Sequence, residues 1–149
     1  MSRKTFRIIL VALLVITGAI AAWSWLRPYE WGADKSAGCR IVGCQVKEDH
    51  SNYWINLHLK VAEDASIDLQ TPVQLLTADG TSIMPADTTL AGDKEKAVRD
   101  IWLKFWVHQK DLKGELKLQI NGAKLSVRQG SGVPKLRSTG SRYFVTDNW

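Results

Sequence analysis

Apolar and polar residues follow two different patterns along the chain. Ile8 to Leu26 (IILVALLVITGAIAAWSWL) is a run of 19 residues with no charge and no polar stripe, whereas beyond residue 39 the apolar residues come in short alternating stretches. As a helix the first run would span roughly 28 Å, close to the ~30 Å hydrocarbon core of a bilayer. Arg3, Lys4 and Arg7 precede it, Trp23 and Trp25 sit where interfacial aromatics collect, and Arg27-Pro28 ends the helix. The pattern predicts a cytoplasmic stub over 1–7, a signal anchor crossing the lipid over 8–26, and a linker over 27–38. The rival reading is a cleaved signal peptide with Ala19-Ile20-Ala21 as its processing site, but the apolar run continues past that site through Leu26. A helix packed on one side into a soluble domain would carry a polar stripe, which is missing. Ser36-Ala37-Gly38-Cys39 looks like the end of a lipobox. Arg27, Glu30, Asp34 and Lys35 separate it from the apolar run, which a lipid-bearing cysteine should follow directly.

The remainder reads as strands. Tyr53–Val61 alternates, with Tyr53, Ile55, Leu57, Leu59 and Val61 on one side and Trp54, Asn56, His58 and Lys60 on the other. Ile101–Val107 does the same, setting Ile101, Leu103, Phe105 and Val107 against Trp102, Lys104, Trp106 and His108. Val73–Thr77 and Thr81–Met84 flank Ala78-Asp79-Gly80 as a hairpin. Asn121-Gly122 predicts a type I′ turn, with Ile120 facing Ala123, Leu118 facing Leu125 and Leu116 facing Val127. That register puts every apolar side chain on one face, which a one-residue slip would undo. Strands near Arg40–Lys47 and Arg142–Thr146 bring the count to about seven, and Asp93–Asp100 reads as one or two helical turns capped by Asp93. The Gly/Ser-containing segment 129–141 reads as a basic loop. The expected fold is mainly β: one transmembrane helix and then, over 39–149, a small antiparallel β-sandwich of immunoglobulin-like size.

Charge changes the picture once it is located. The chain carries +5 overall with a pI near 9.3. Residues 1–27 hold +4, residues 28–120 hold −3, and residues 121–149 hold +4 from Lys124, Arg128, Lys135, Arg137 and Arg142 against Asp147. The basic ends are a membrane flank and a tail, neither of them a groove or recognition helix, so no nucleic-acid partner is expected. The tail, with Trp149, is a solvated segment or a contact for anionic headgroups or an acidic partner. Three basic residues on the N-terminal side, against Arg27, Lys35 and Arg40 on the other, favour a cytoplasmic N-terminus by a small margin. The expected location is the inner (cell) membrane, single-pass, with the bulk of the chain extracytoplasmic, which is periplasmic in a Gram-negative cell.

Candidate chemistry is sparse. Cys39 and Cys44 are the two cysteines, and in an oxidising compartment they predict a disulfide. Straight strand would hold their Cα atoms roughly 16–18 Å apart against the roughly 4.4–6.8 Å a disulfide needs, so the segment would have to turn, with Gly43 as the pivot. Copper(I) held by the two thiolates, two free thiols, or an intermolecular bridge are the other readings. The spacing fits neither haem attachment nor a thioredoxin-type site, and no second Cys/His pair stands at zinc-finger spacing. His50, His58 and His108 have no nucleophile or acid at a telling spacing, and the chain has no P-loop, G-x-S-x-G or H-E-x-x-H. No catalytic residue, resident metal, cofactor or small-molecule substrate is expected. What remains is a surface. If the two clearest strands share a sheet, Trp54, His58 and Lys60 join Trp102, Lys104, Trp106 and His108 as one aromatic, cationic face suited to docking a membrane or periplasmic protein. The bland reading of the same residues is sheet cover, with lysine stems over the rings. The expected function is a membrane-anchored extracytoplasmic binding, scaffolding or assembly-accessory protein without catalysis of its own. The alternative is a copper or thiol-redox accessory using Cys39 and Cys44.

Overall fold

The computed structural model describes residues 2–26, 31, 34–68, 70–93 and 97–149. Helix α1 covers Arg3–Leu26, with mean hydropathy 2.3 over its best window and no buried residue. It is long enough, about 36 Å at 1.5 Å per residue, to cross a membrane. It starts five residues before the apolar run because Ser2 caps it, accepting from the Thr5 N–H at 3.2 Å. Thr17, the polar side chain in mid-helix, donates its hydroxyl back to the Leu13 carbonyl at 2.8 Å and so presents no unpaired group. The expected linker is not all tether: Trp31 is 4% exposed and Ala37 fully buried, both within the core, and Asp34 caps a 3-10 turn over Lys35–Ala37.

Nine strands follow among the described residues: β1 (Cys39–Asp49), β2 (Asn52–Val61), β3 (Gln74–Leu76), β4 (Ser82–Ile83), β5 (Asp87–Gly92), β6 (Val98–His108), β7 (Leu116–Ile120), β8 (Ala123–Arg128) and β9 (Ser141–Phe144). They form two antiparallel sheets, ordered β5-β6-β2-β1-β9 and β4-β3-β7-β8. The inward side chains of both sheets make one buried cluster: Tyr53, Ile55, Leu57 and Leu59 from β2 and Ile101, Leu103, Phe105 and Val107 from β6, with Leu75, Leu116, Leu118, Ile120 and Leu125 from the second sheet. Alternation along β2 and β6 is therefore the pattern of a sheet with one face on the core.

The type I′ turn forms as its residues require, with φ of 52° at Asn121 and 76° at Gly122. Ile120 pairs with Ala123 and Leu118 with Leu125, but Leu116 pairs with Arg128 rather than Val127, because a bulge interrupts β7–β8 between Leu116 and Lys117. The extra residue turns Val127 and Arg128 both inward. Asp93–Asp100 is not helical where it is described: Val98–Asp100 open β6, and the Asp93 N–H donates to Ala97 O across the β5–β6 connection. Residues 94–96 lie outside the described set. The β5 strand itself was not expected, since Asp87–Gly92 is exposed along its whole length and so has no buried face to impose alternation.

Candidate functional site

The outer face of the five-stranded sheet gathers all seven expected surface residues. Trp54, His58 and Lys60 project from β2 and Trp102, Lys104, Trp106 and His108 from β6. The pairing register places Trp54 opposite Trp106, His58 opposite Trp102, and Lys104 opposite Asn56. Cross-strand neighbours on one face lie within side-chain reach, and the rings meet. Trp54 and Trp106 pack edge-to-face with centroids 4.4 Å apart, while His58 stacks on Trp102 at 4.7 Å with planes 9° apart. Lys104 Nζ lies 4.5 Å from the centre of the Trp54 ring.

Polar groups at the edges fix these rings. His58 Nε2 pairs with Asp100 Oδ1 at 2.7 Å, and the Trp54 indole N–H donates to Asp49 Oδ2 at 3.2 Å. His50 hydrogen-bonds Asp49 as well, and this contact first, then Trp54, holds the Asp49 carboxyl below the ordinary range. His108 Nδ1 bonds Asn52 Oδ1, its cross-strand partner. The tryptophans are half-buried and Lys60, Lys104 and His108 exposed. The result is a held aromatic plateau with exposed cationic side chains around it. Beside Trp106 and His108 the surface falls into a groove of about 510 Å³, walled on the far side by Thr81–Met84. Asp79 braces that wall: the Thr77 hydroxyl, then the Thr81 N–H, hold its carboxyl down at about 2.

Asp100 and Asp49 belong to the face and were not anticipated. Their roles depend on which strands pair. Asp100 was expected in helical turns ahead of the strand, which gave no hint that His58 stands next to it. Tyr143 on β9 was missed too. Its ring and hydroxyl occupy the space that a Cβ at Gly43 would need, which explains the glycine.

The expected Cys39–Cys44 disulfide does not form. Both cysteines are free thiols on β1, which runs without a turn from Cys39 to Asp49, and Gly43 has no positive φ with which to pivot. Five residues of strand hold the two Cα atoms about 16 Å apart, too far for a disulfide or a shared metal ion. The spacing of five would also point them to opposite faces. A bulge at Val42, between the pairs Ile41–Leu59 and Gly43–His58, resets the parity, so that Cys39 and Ile41 before it and Cys44 and Val46 after it all face the core.

Burial alone pushes the Cys39 thiol up to about 11 and the Cys44 thiol further still. Both are therefore protonated and inert to thiol reagents at neutral pH. In the unfolded chain they would ionise from about 9, so the sign is definite. Stability is fully present below pH ~9 and falls as pH rises from there through 11, by about 1.4 kcal/mol per pH unit for each thiol. Urea unfolding between pH 8 and pH 10.5 should show that loss, and a Cys39→Ala/Cys44→Ala variant should lack most of it. Equal alkaline slopes in the two proteins would refute the assignment.

The basic tail is only partly solvated. Lys124, Lys135, Arg137 and Arg142 are exposed, but Arg128 is 2% exposed. Its Nε donates to Trp149 O, its Nη1 to Leu112 O at 3.3 Å, and its guanidinium lies over the Trp149 ring at 4.7 Å. The Trp149 indole N–H donates in turn to Val127 O at 3.0 Å, and its ring stacks on Phe144. Trp149 thus packs against Phe144 and Arg128 at the end of the sheet. Among the described residues no group of three or more His, Cys, Asp or Glu side chains converges as metal ligands would. Comparison with known proteins finds no family model, no curated protein and no solved structure that matches this chain.

Proposed function

We propose that the protein is a membrane-anchored, extracytoplasmic binding or scaffolding protein without catalytic activity, which holds or helps assemble a membrane or periplasmic partner protein. The observation that carries this reading is the ring array across β2 and β6: Trp54 on Trp106 and His58 on Trp102, each half-exposed and held from the side by a carboxylate or a neighbouring ring. Interfaces concentrate their energy in aromatic anchors pre-set in position, because little rotamer entropy is lost on docking. Lys60 and Lys104 border the array and suit a partner whose rim is acidic. The groove beside Trp106 offers room for a projecting side chain.

The remaining parts of the reading have their own support. Basic Arg3, Lys4 and Arg7 before an apolar helix favour a signal anchor in the inner membrane with the sheets on the periplasmic side. The strand orders β5-β6-β2-β1 and β4-β3-β7-β8 match D-E-B-A and C′-C-F-G of an immunoglobulin-like sandwich, with β9 added beside β1. A copper or thiol-redox role gains no support from two buried thiols so far apart on one strand.

The test is capture from membranes. Full-length protein crosslinked in place should bring down a discrete partner, and Trp102→Ala/Trp106→Ala should reduce recovery at least about tenfold, since hot-spot aromatics each contribute ~2 kcal/mol or more. Undiminished capture by a folded double variant would sink the proposal.

A further inference from the structure

A second site stands apart from the aromatic array. The loop Gly130–Lys135 and the stretch from Arg142 to Trp149 flank a groove of about 470 Å³, whose lining holds Arg128, Lys135 and Arg142 and no carboxylate side chain. Arg128 is already committed to two carbonyls, as described above. Arg142 is held but not used up: Nη1 donates to Lys135 O at 3.2 Å, and the guanidinium stacks over the Phe144 ring at 5.1 Å. That bond takes one of five guanidinium N–H donors. The acceptor is the main-chain carbonyl of Lys135, so the bond ties the Gly130–Lys135 loop to β9.

Arg142 and Lys135 both line the groove, so an anion entering it meets two positive charges. Arg142, Lys135, Ser131 and Thr146 all line the groove, and that set of residues carries more donors than one carboxylate accepts and suits the three terminal oxygens of a phosphate monoester. Val133 and Val145, both exposed, line the same groove and give an apolar body something to lie against. We propose that this groove binds a phosphate group carried on a small apolar body, gripped by Arg142 and Lys135. The site is independent of the docking face.

The probe is phenyl phosphate, titrated calorimetrically into the full-length protein in phosphatidylcholine nanodiscs. Saturable binding is expected, weakened at least about tenfold by Arg142→Gln, as loss of a charge-assisted bidentate contact requires. Arg142→Lys, which keeps the charge but loses the fork, should weaken it less. Lys124→Gln, outside the groove, should leave it unchanged. Nanodiscs containing phosphatidic acid, whose headgroup is a phosphate monoester, separate the sources: competition with phenyl phosphate assigns the site to a lipid headgroup, and no competition assigns it to a soluble phosphate. Absence of saturable binding at millimolar concentrations overturns the proposal. So does binding undiminished by Arg142→Gln with an unchanged thermal midpoint. Lys135→Gln, on an exposed loop, provides the same comparison should Arg142→Gln fail to fold.

Discussion

Deletion of Val42 is expected to abolish cooperative folding of the β-region, although the residue itself is only half-buried. Val42 is the extra residue of the β1 bulge, and it keeps Cys39 and Ile41 in phase with Cys44 and Val46 on the core face. Without it one half of β1 must turn over. If the N-terminal half turns, Cys39 and Ile41 leave the core at roughly 1.5–3 kcal/mol for a side chain the size of Ile41. Arg40 would then point inward at a cost of several kcal/mol. The sum reaches the whole stability of an ordinary domain, about 5–15 kcal/mol. Val42→Ala keeps the residue count and should cost no more than about 1.5 kcal/mol. Urea unfolding of the full-length protein in detergent micelles, followed by tryptophan fluorescence, compares the two. A deletion variant that unfolds cooperatively near the wild-type midpoint would show that the bulge does not set the phase of β1.

Arg128→Met is expected to be the most damaging substitution of an ionisable residue, at about 3 kcal/mol. Met fills much of the volume, but the main-chain oxygens of Leu112 and Trp149 lose their guanidinium donors, and a buried group left short of a partner, such as Leu112 O, costs about 1–3 kcal/mol. The stacking on Trp149 goes as well. Burial disfavours the charged guanidinium. Arg128→Lys keeps the charge but cannot serve both carbonyls with one rigid fork, so it should fall between wild type and Met. The same urea titration measures all three. A midpoint for Arg128→Met within error of wild type would remove Arg128 from the structural role assigned to it.

Much of this architecture could be read in advance, and the failures have a common physical cause. Alternation in Tyr53–Val61 and Ile101–Val107 was legible because each strand buries one face, and Asn121-Gly122 because only residues tolerant of positive φ make that turn. The β1 and β7–β8 bulges were not legible, since an inserted valine alters phase without altering composition. The disulfide expectation failed with them. The spacing of Cys39 and Cys44 suggested a closed loop, when a bulge instead sends both thiols inward from one extended strand. Arg128 ends an alternating run and counts as an outward cation until the register shift at Leu116 turns it in. At the docking face the tryptophans and lysines were legible from alternation alone, but Asp100 beneath His58 and Asp49 beside Trp54 were not, because those contacts exist only once the strands are paired.

The docking face is tested most directly by comparing the two sheets of one protein. Full-length chain carrying Trp102→Ala/Trp106→Ala, and a control carrying Lys117→Ala/Lys124→Ala on the outer side of the β7–β8 hairpin, would each be crosslinked in membranes beside wild type and the captured partner quantified. Recovery should fall at least about tenfold for the tryptophan pair and stay near wild type for the lysine pair. Equal recovery from all three folded proteins would contradict a partner bound on the β2–β6 face.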